Sequence, residues 1–454
     1  MIVQEINWRC PEEVFEQFSE LEGLVFLDSA QADSPYGRYS FIAFEPFEII
    51  QTPPARNPFE YLNERLAAFP LETVPELPPF QGGAAGFFSY ELNRFLENSP
   101  CSLTDDGHFP DMAVGLYDLV IGFDVVLQRV WVFSSGYPEK KAAARKRRAV
   151  QRLEATLVRW QQPFISRPCS EAVCPKEVIE SHFTREKYEA MVREVQNFIR
   201  SGDIFQANVS RRFHAKLPLG LGSVDLYRRL RKRNPAPFSA YVNLMGTCLV
   251  SASPERFLKV SQGEIEARPI KGTAPRGTNT AEDNRQAEKL QTSAKDRAEN
   301  IMIVDLLRND LSKVCRPHSV CVPQLCVLES HPTVHHLVSS VQGRLREEVS
   351  ALDALRAAFP GGSVTGAPKI RAMEIIAALE PVVRGPYCGS IGWLGFDGNM
   401  DTSITIRTFV LRERLIFFQA GGAIVLDSDP ESEFDETTDK ARALWEVLTG
   451  QACS

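Results

Sequence analysis

The amino-acid sequence predicts a mixed α/β protein. The first half contains short runs of β-favouring residues interrupted by glycine and proline, such as Phe41–Ile50, Gly82–Tyr90 and Tyr117–Val126. The second half alternates amphipathic helical patterns with strand patterns. In addition, Gly83–Phe87 is faintly echoed by Gly389–Trp393, which suits two facing β-layers.

Length and composition narrow the class of protein. The chain has 454 residues, 44% of them hydrophobic, and a formal net charge of −7, which argues against nucleic acid or an anionic membrane as a partner. No run approaches the roughly 20 apolar residues of a membrane span, and no apolar run near the start predicts a secretory signal. The ten cysteines are scattered without a Cys-x-x-Cys pair, as is typical of reduced thiols. We therefore expect a soluble cytoplasmic protein.

Three regions follow one another along the chain. Prolines and weak periodicity predict a linker over 166–183, between an N-terminal region (1–165) and a C-terminal region (184–454). A helix begins directly after the linker, because Thr184 suits its N-cap and apolar residues recur with helical spacing up to Ile199. The basic run at 139–149 is interpreted as a solvated helix face rather than a nucleic-acid site.

Two predicted helices carry carboxylates on their apolar side. Glu299 shares a face with Ile303, and Glu436 shares a face with Lys440, with Glu433 one turn earlier. A buried carboxylate without a partner is costly, and Mg²⁺ is bound by such groups together with water. An ion pair between Glu436 and Lys440 is the simpler alternative. The pattern alone leaves both interpretations open.

One lysine lies in a setting that suits a nucleophile. Lys271 stands between apolar Ile270 and Gly272, shortly after a turn at Pro254 that presents Glu255. A lysine removed from water loses its proton more readily and becomes a competent amine nucleophile. An exposed loop lysine is the alternative interpretation.

Two patterns predict contacts with an anion. Arg407 continues a predicted strand in which Ile404 and Ile406 face one side and Thr405 and Arg407 face the other, so its guanidinium is placed for a carboxylate. The glycines Gly421 and Gly422 leave backbone N–H groups accessible to an anion.

Two further motifs do not match the binding sites that they first suggest, a nucleotide phosphate loop and a zinc site. Gly361–Lys369 does not match a nucleotide phosphate loop, because Ala367 and Pro368 separate the last glycine from the lysine; a turn that opens a helix is the better interpretation. The histidines His331, His335 and His336 suggest zinc, but neighbouring strand residues point to opposite sides and no other ligand pair completes a site.

The order of these motifs resembles the chorismate-utilising enzymes, over about residues 184–448. The N-terminal half is more weakly similar to the same half of anthranilate synthase large subunits and their relatives. The matching motifs are Pro269–Thr273, Lys295–Asn300, His335–Ser339, Gly361–Lys369, Asp401–Thr408, Ala420–Gly422 and Glu436–Lys440. The resemblance implies a single large fold of the anthranilate synthase type, with two β-layers packed at a steep angle and helices outside.

The resemblance also implies roles for individual residues. Glu299 and Glu436 match Mg²⁺ ligands, with Asp296 and Glu433 acting through bound water. Glu255 matches the general acid/base and His336 the active-site histidine. The positions that match the binding of chorismate are Arg407, Gly421, Gly422, Thr365, Gln206 and Lys440. Family members more often have a third glycine where this chain has Ala423.

Two positions indicate which reaction the resemblance implies. Members that form anthranilate carry Ala at the position of Lys271, and members that add water carry a lysine base at the position of Gln206. Lys271 with Gln206 therefore implies amination of chorismate at C4, with ammonia from a glutamine amidotransferase partner and a separate lyase acting on the product. The alternatives are an anthranilate-forming enzyme and, from another class, a non-catalytic nucleotide-binding module.

The resemblance places a candidate tryptophan pocket in the N-terminal region. Relatives hold tryptophan where this chain has Phe26–Ser29 and Tyr36–Ser40. Asp28, Ser29 and Tyr36 are the candidate contacts, with bound L-tryptophan as a structural or inhibitory ligand.

Overall fold

The computed structural model describes residues 1–31, 34–51, 56–96, 104–330 and 334–451. Its α-helices are α1 (Pro11–Phe18), α2 (Pro58–Ala67), α3 (Ala142–Gln161), α4 (Arg185–Arg200), α5 (Ser223–Arg233), α6 (Thr280–Thr292), α7 (Ala294–Ser312), α8 (Ala351–Ala358), α9 (Lys369–Leu379) and α10 (Pro430–Thr449). Its strands are β1 (Ile2–Ile6), β2 (Val25–Asp28), β3 (Tyr39–Ala43), β4 (Glu48–Gln51), β5 (Gly83–Phe88), β6 (Met112–Tyr117), β7 (Leu119–Asp124), β8 (Arg129–Ser134), β9 (Glu180–Ser181), β10 (Gln206–Lys216), β11 (Phe238–Leu244), β12 (Thr247–Ser253), β13 (Arg256–Ser261), β14 (Glu264–Ala267), β15 (Ile270–Pro275), β16 (Cys321–Ser330), β17 (Val334–Arg344), β18 (Gly366–Ala367), β19 (Ser390–Gly395), β20 (Met400–Ile404), β21 (Thr408–Arg412) and β22 (Leu415–Ile424).

The strands form two large sheets. The first sheet has the order β1-β8-β7-β3-β2-β11-β12-β21-β22-β10-β18, with β9 paired to β10. The second has the order β15-β17-β14-β13-β20-β19-β5-β6-β4, with β16 paired to β17. Neighbouring strands run antiparallel, for example β10 with β22 and β15 with β17. Strands from both predicted regions stand side by side in each sheet, so the N-terminal and C-terminal regions share one fold.

Helices cover the outer faces of the sheets. Alternation along β2 shows why: Val25 packs into the core between the sheets, whereas Phe26 packs into the core under α1, α5 and α10. On the second sheet, Leu258 of β13 and Ile303 of α7 belong to a third apolar cluster, together with residues of α2 and α8. This arrangement confirms the predicted class, with two β-layers and helices outside.

Several predicted elements are present at their predicted positions. The hydroxyl of Thr184 accepts a hydrogen bond from the backbone N–H of Lys187, so the N-cap of α4 is confirmed. The basic run begins the exposed helix α3, and Pro368 caps α9. Within the predicted linker 166–183, residues 166–175 have no regular structure, whereas Glu180–Ser181 form β9 and pair with β10.

Two predicted strands are wrong in the same way. Phe41–Ile50 is divided between β3 in the first sheet and β4 in the second, and the strand predicted through Arg407 ends at Ile404 before β21 begins in the other sheet. At both places the chain crosses between the layers, and a residue there has positive φ: +47° at Glu45 and +53° at Arg407. The alternation of side chains between the two faces of β20 therefore stops at Ile404. The position of Arg407 is set by the turn that leads the chain from β20 to β21.

No helix in the described ranges is long and apolar enough to cross a membrane.

Candidate active site

Lys271 projects from a β-bulge at the edge of the second sheet. Ile270 pairs with Val338 and Thr273 with His336, so one more residue lies on β15 than on β17 between these pairs. Such a bulge redirects a side chain. Gly272 has φ +84°, and a Cβ there would lie 3.0 Å from the Asp296 side chain, so both conformation and space favour glycine.

The side chain of Lys271 is half-buried. Its Nζ donates to the Ser363 carbonyl oxygen at 3.3 Å. Burial lowers the pKa of Lys271; attraction to Glu299 opposes this, and repulsion by Lys440 adds to it. The lowered pKa favours the neutral amine, which is the nucleophilic form. The alternative of an exposed loop lysine is therefore wrong.

Glu255 faces the same place. It is 7% exposed and accepts hydrogen bonds from the Ser363 side chain and the Ile270 backbone N–H. Burial raises the pKa of Glu255 to about 7, although these bonds and the charge of Lys271 act in the opposite direction. A carboxyl group with this pKa can give and take a proton near neutral pH.

The predicted metal carboxylates come from α7 and α10. Burial raises the pKa of Glu299, and its electrostatic neighbours include Lys271, Asp296 and Glu436. Burial also raises the pKa of Glu433, with repulsion by Glu436 in the same direction. Each carboxylate thus lies within electrostatic range of another, which a cation would relieve.

The side chains themselves do not form a complete metal cage. Among the described residues, no three histidine, cysteine, aspartate or glutamate side chains converge on one point. Glu436 instead forms an ion pair with Lys440 at 2.6 Å, as the simpler interpretation predicts. Burial is the largest single influence on Glu436 and acts to raise its pKa, but the ion pair with Lys440 together with attraction to Lys295 and Lys271 lowers it.

One atom nevertheless fits a bound cation. Oε1 of Glu433 accepts from the Ser428 hydroxyl at 2.6 Å, whereas its Oε2 is buried and has no hydrogen-bond partner among the described residues. A Cβ at Gly422 would lie 2.8 Å from this Oε2 and 3.9 Å from Oε1 of Glu436, so the glycine keeps the carboxylates accessible. Oxygen ligands of this kind, completed by water and a substrate carboxylate, are those Mg²⁺ prefers.

The two glycines belong to β22, at a place where one edge of the strand is open. β21 pairs with β22 over Leu415–Phe418, whereas β10 pairs with it over Leu415–Ile424. Beyond Phe418 the other edge of β22 is therefore not covered by β21, and Gly421 and Gly422 lie in this stretch. Lys440 donates to the Gly421 carbonyl oxygen at 2.9 Å, which ties α10 to the strand.

Arg407 and His336 line a neighbouring cavity of about 430 Å³. Its wall includes Pro254 and Ile270, next in sequence to Glu255 and Lys271. His336 Nδ1 lies 2.9 Å from the Thr273 hydroxyl. Burial lowers the pKa of Arg407, and its electrostatic neighbour is Tyr387 rather than a carboxylate.

Gln206 and Thr365 meet where β10 begins. Gln206 is fully buried, and within the described ranges neither of its amide atoms has a hydrogen-bond partner. The backbone N–H of the nearby Asn208 donates to the carbonyl oxygen of Thr365, whose hydroxyl donates to the Gly361 carbonyl oxygen. A neutral amide in this place has no proton-accepting strength comparable to an amine, so it does not suit the activation of water.

Within the described part of the chain, the histidine motif forms no zinc site. His331 lies outside the described residues. His335 is buried, with its ring nitrogens bonded to Ser330 at 2.8 Å and to Asp283 at 3.0 Å. His336 faces the cavity instead, so the two neighbours point to opposite sides as predicted.

The candidate tryptophan pocket corresponds to a second cavity of about 400 Å³, lined by Asp28, Ser29 and Tyr36. Tyr36 lines both cavities. The Asp28 carboxylate already accepts from the Tyr227 hydroxyl at 2.8 Å and from Arg231 at 2.7 Å. Asp28 therefore helps to shape the pocket wall, and its oxygens are occupied by the protein.

Sequence reasoning missed three residues of the site. Ser363 contacts Lys271 through its carbonyl and Glu255 through its side chain, Tyr387 neighbours Arg407, and Lys295 acts on Glu299, Glu433 and Glu436. The signal for Lys295 was present, because it stands one helical turn before Glu299. A backbone carbonyl such as that of Ser363 has no signature in side-chain patterns.

Comparison with known proteins agrees with this geometry. Residues 25–446 match the chorismate binding enzyme family, and the chain belongs to this family. It is 41% identical to aminodeoxychorismate synthase component 1 of Escherichia coli (strain K12), over 97% of each chain. It is 36% identical to anthranilate synthase component 1 of Pseudomonas aeruginosa, over 97% of this chain and 93% of the relative. The crystal structure of anthranilate synthase component I from Streptococcus pneumoniae is similar with a TM-score of 0.79 and 33% identity, covering 90% of this chain and 92% of the other.

Proposed function

We propose that this protein is the chorismate-aminating component of an aminodeoxychorismate synthase. It converts chorismate and ammonia to 4-amino-4-deoxychorismate and water. The observation that carries the proposal is the half-buried Lys271, whose Nζ donates to the Ser363 carbonyl oxygen and whose charge interacts with Glu255 and Glu299. The similarity to aminodeoxychorismate synthase component 1, at 41% identity, supports the same choice.

The first step joins Lys271 to the substrate. The neutral amine of Lys271 forms a bond to C2 of the ring, the two ring double bonds shift, and the C4–O bond breaks. Glu255, in its protonated form, gives its proton to the departing hydroxyl, which leaves as water. The pKa of Glu255, raised to about 7 by burial, keeps this proton available near neutral pH.

The second step replaces Lys271 with ammonia. Ammonia forms a bond to C4, the double bonds return, and the C2–N bond breaks, so that Lys271 leaves as a neutral amine. The new ammonium group gives a proton to Glu255, which restores the starting state. Two displacements explain why the amine stands at the carbon that carried the hydroxyl.

Other residues bind and orient the substrate. Arg407 and the open edge of β22 at Gly421 and Gly422 suit carboxylate recognition, and His336 lines the same cavity as Arg407. Glu299 and Glu436 would hold Mg²⁺, with Asp296 and Glu433 through water. When bound, Mg²⁺ neutralises carboxylate charge and polarises the ring system.

The proposal includes a partner and a place in metabolism. No Cys-His glutaminase pattern is found in the sequence, so ammonia is supplied by a glutamine amidotransferase subunit; the designation "component 1" of the relatives agrees with a second component. A separate lyase then acts on the product, on the route to p-aminobenzoate and folate in the cytoplasm.

Incubation with chorismate, Mg²⁺ and an ammonium salt tests the proposal. We expect 4-amino-4-deoxychorismate by chromatography and, after rapid quenching, a chorismate-derived adduct on Lys271 by mass spectrometry. Fluorescent anthranilate formed without a lyase would instead identify the protein as an anthranilate synthase component, the alternative that the relatives at 36% identity represent.

Tryptophan binding in the second cavity stays a prediction. A volume of about 400 Å³ lies within the range of small-molecule sites. Titration calorimetry with L-tryptophan, with L-leucine as the control, tests it, and the absence of heat with both would contradict it.

A further inference from the structure

Arg384 connects several parts of the fold behind the candidate site. It lies between α9 and β19 and is 2% exposed. Its guanidinium donates to the Asn208 carbonyl oxygen at 2.6 Å, to the Val364 carbonyl oxygen at 3.0 Å and to both carboxylate oxygens of Glu380 at 2.8 Å. The planar fork of an arginine can satisfy these directions together, whereas an ammonium group cannot.

The backbone of Arg384 is fixed as well. Its N–H donates to Oε1 of Glu91 at 2.8 Å, and its carbonyl oxygen accepts from Nε2 of Gln419 at 2.9 Å. Glu380 accepts from the backbone N–H of Ser210 at 2.8 Å. Arg384 is thus fixed by contacts to β10, to β22 and to the segment that follows β5.

The Val364 carbonyl links Arg384 to the reacting groups. Val364 follows Ser363, whose carbonyl oxygen accepts from Lys271 Nζ and whose side chain is hydrogen-bonded to Glu255. The segment Gly361–Thr365, here called the serine loop, therefore contacts Lys271 on one side and Arg384 on the other. Because Val364 and Ser363 are adjacent, a displacement of the loop at Val364 would also move Ser363.

We propose that Arg384 is a positioning residue: it fixes the serine loop against β10 and thereby holds Lys271 and Glu255 in their mutual orientation. This inference rests on the proposed function for its catalytic meaning. The effect of Arg384 on the surroundings of Lys271 can be measured on the protein without substrate.

A test must separate positioning from a general contribution to folding. Arg384→Lys retains the positive charge but loses the fork. The double variant Arg384→Met/Glu380→Met removes both charges, because a lone buried carboxylate would itself destabilise the protein. Arg152→Lys is the matched control. Arg152 lies on α3, donates to the Phe44 and Glu45 carbonyl oxygens and pairs with Asp118, and none of these residues belongs to the candidate site.

The decisive measurement is the pH dependence of Lys271 acetylation in the free protein, followed by mass spectrometry of the Lys271 peptide. A loosened serine loop admits water, and burial is the main cause that lowers the pKa of Lys271. We therefore expect the midpoint to move upward in both Arg384 variants and to stay unchanged in Arg152→Lys. An unchanged or lower midpoint in the Arg384 variants, or an equal shift in the control, would overturn the inference.

Kinetics provide the second measurement. Misplacement of reacting groups by about 1 Å can cost about 100-fold in rate, so kcat should fall by 10- to 100-fold in Arg384→Lys while KM for chorismate changes little. Equal losses in Arg152→Lys, with matching losses of thermal stability, would indicate a structural role only. If wild-type protein does not aminate chorismate, the proposed function fails, but the acetylation result still decides the role of Arg384.

Discussion

Two buried groups of charged side chains in this protein differ in how completely they are satisfied. Around Asp28, the carboxylate receives hydrogen bonds from Tyr227, Arg231 and Ser40. In the candidate active site, Oε2 of Glu433 is buried and no described residue bonds to it, and burial shifts the pKa values of Lys271 and Glu255 towards their neutral forms. The hydrogen bonds of the first group stabilise the fold, whereas the second group has a carboxylate oxygen and shifted pKa values that suit the binding of a ligand.

The largest expected effect is on Lys271. Lys271→Ala should reduce 4-amino-4-deoxychorismate formation by about 10³-fold or more, because it removes the amine that forms the bond to C2. Product formation with chorismate, Mg²⁺ and ammonium measures it. Lys232→Ala, at an exposed position on α5, is the control. Wild-type activity in Lys271→Ala would mean that this lysine forms no bond to the substrate and has a structural role only.

A smaller effect is expected for the carboxylates. Glu299→Gln removes one negative charge from the group and should raise the Mg²⁺ concentration for half-maximal activity by about 10- to 100-fold. Titration of activity with Mg²⁺, alongside calorimetric Mg²⁺ binding, measures the change. Asp305→Asn on the same helix, at an exposed position, should leave the response unchanged. An unaltered response in Glu299→Gln would refute its role as a ligand.

The pH profile should report both shifted groups. Glu255 must be protonated to serve as the acid, so kcat/KM should fall above pH about 7, by about tenfold per pH unit. Lys271 must be neutral, so the rate should also fall as the pH drops below its lowered pKa. Glu255→Gln should be slow and lack the alkaline decline. Retention of that decline would assign it to another group.

The smallest effect on turnover is expected in the satisfied group. Tyr227→Phe removes one hydrogen bond from Asp28 and should lower the free energy of unfolding by about 1 to 2 kcal/mol, with kcat near wild type. Urea unfolding measures it, and Phe26→Leu provides a comparison in the same apolar cluster without a hydrogen bond. A large loss of kcat in Tyr227→Phe would mean that the two groups are coupled.

Local sequence patterns predicted the helices of the site better than its turns. Glu299 is half-buried on α7 beside the buried Ile303, in agreement with helical spacing, whereas on α10 the buried carboxylate is Glu433 and Glu436 is exposed, contrary to the prediction. The position of Arg407 was wrong, because a single residue with φ +53° ends the alternation and redirects the chain into the other sheet. The order of 22 strands in the described residues depends on contacts between distant segments, which no local period records.

The site chemistry was only partly accessible to the same reasoning. Burial of Lys271 and Glu255 could be suspected from their neighbours, but the shifts in their pKa depend on a bulge, on the Ser363 carbonyl and on charges from α7 and α10. These contacts arise from tertiary structure. The resemblance to the chorismate-utilising enzymes supplied what local patterns could not.

The bulge at Lys271 and Gly272 determines which sequence changes this site can tolerate. Replacing the side chain at position 271 leaves the pairing of Ile270 and Thr273 with β17 intact. Deleting one residue there would leave a single residue opposite Leu337; Thr273 could still pair with His336, but the bulge that redirects the side chain at position 271 would be lost. A substitution at position 271 therefore changes only the side chain that reaches the site, whereas a change in the number of residues here also changes the direction in which that side chain points.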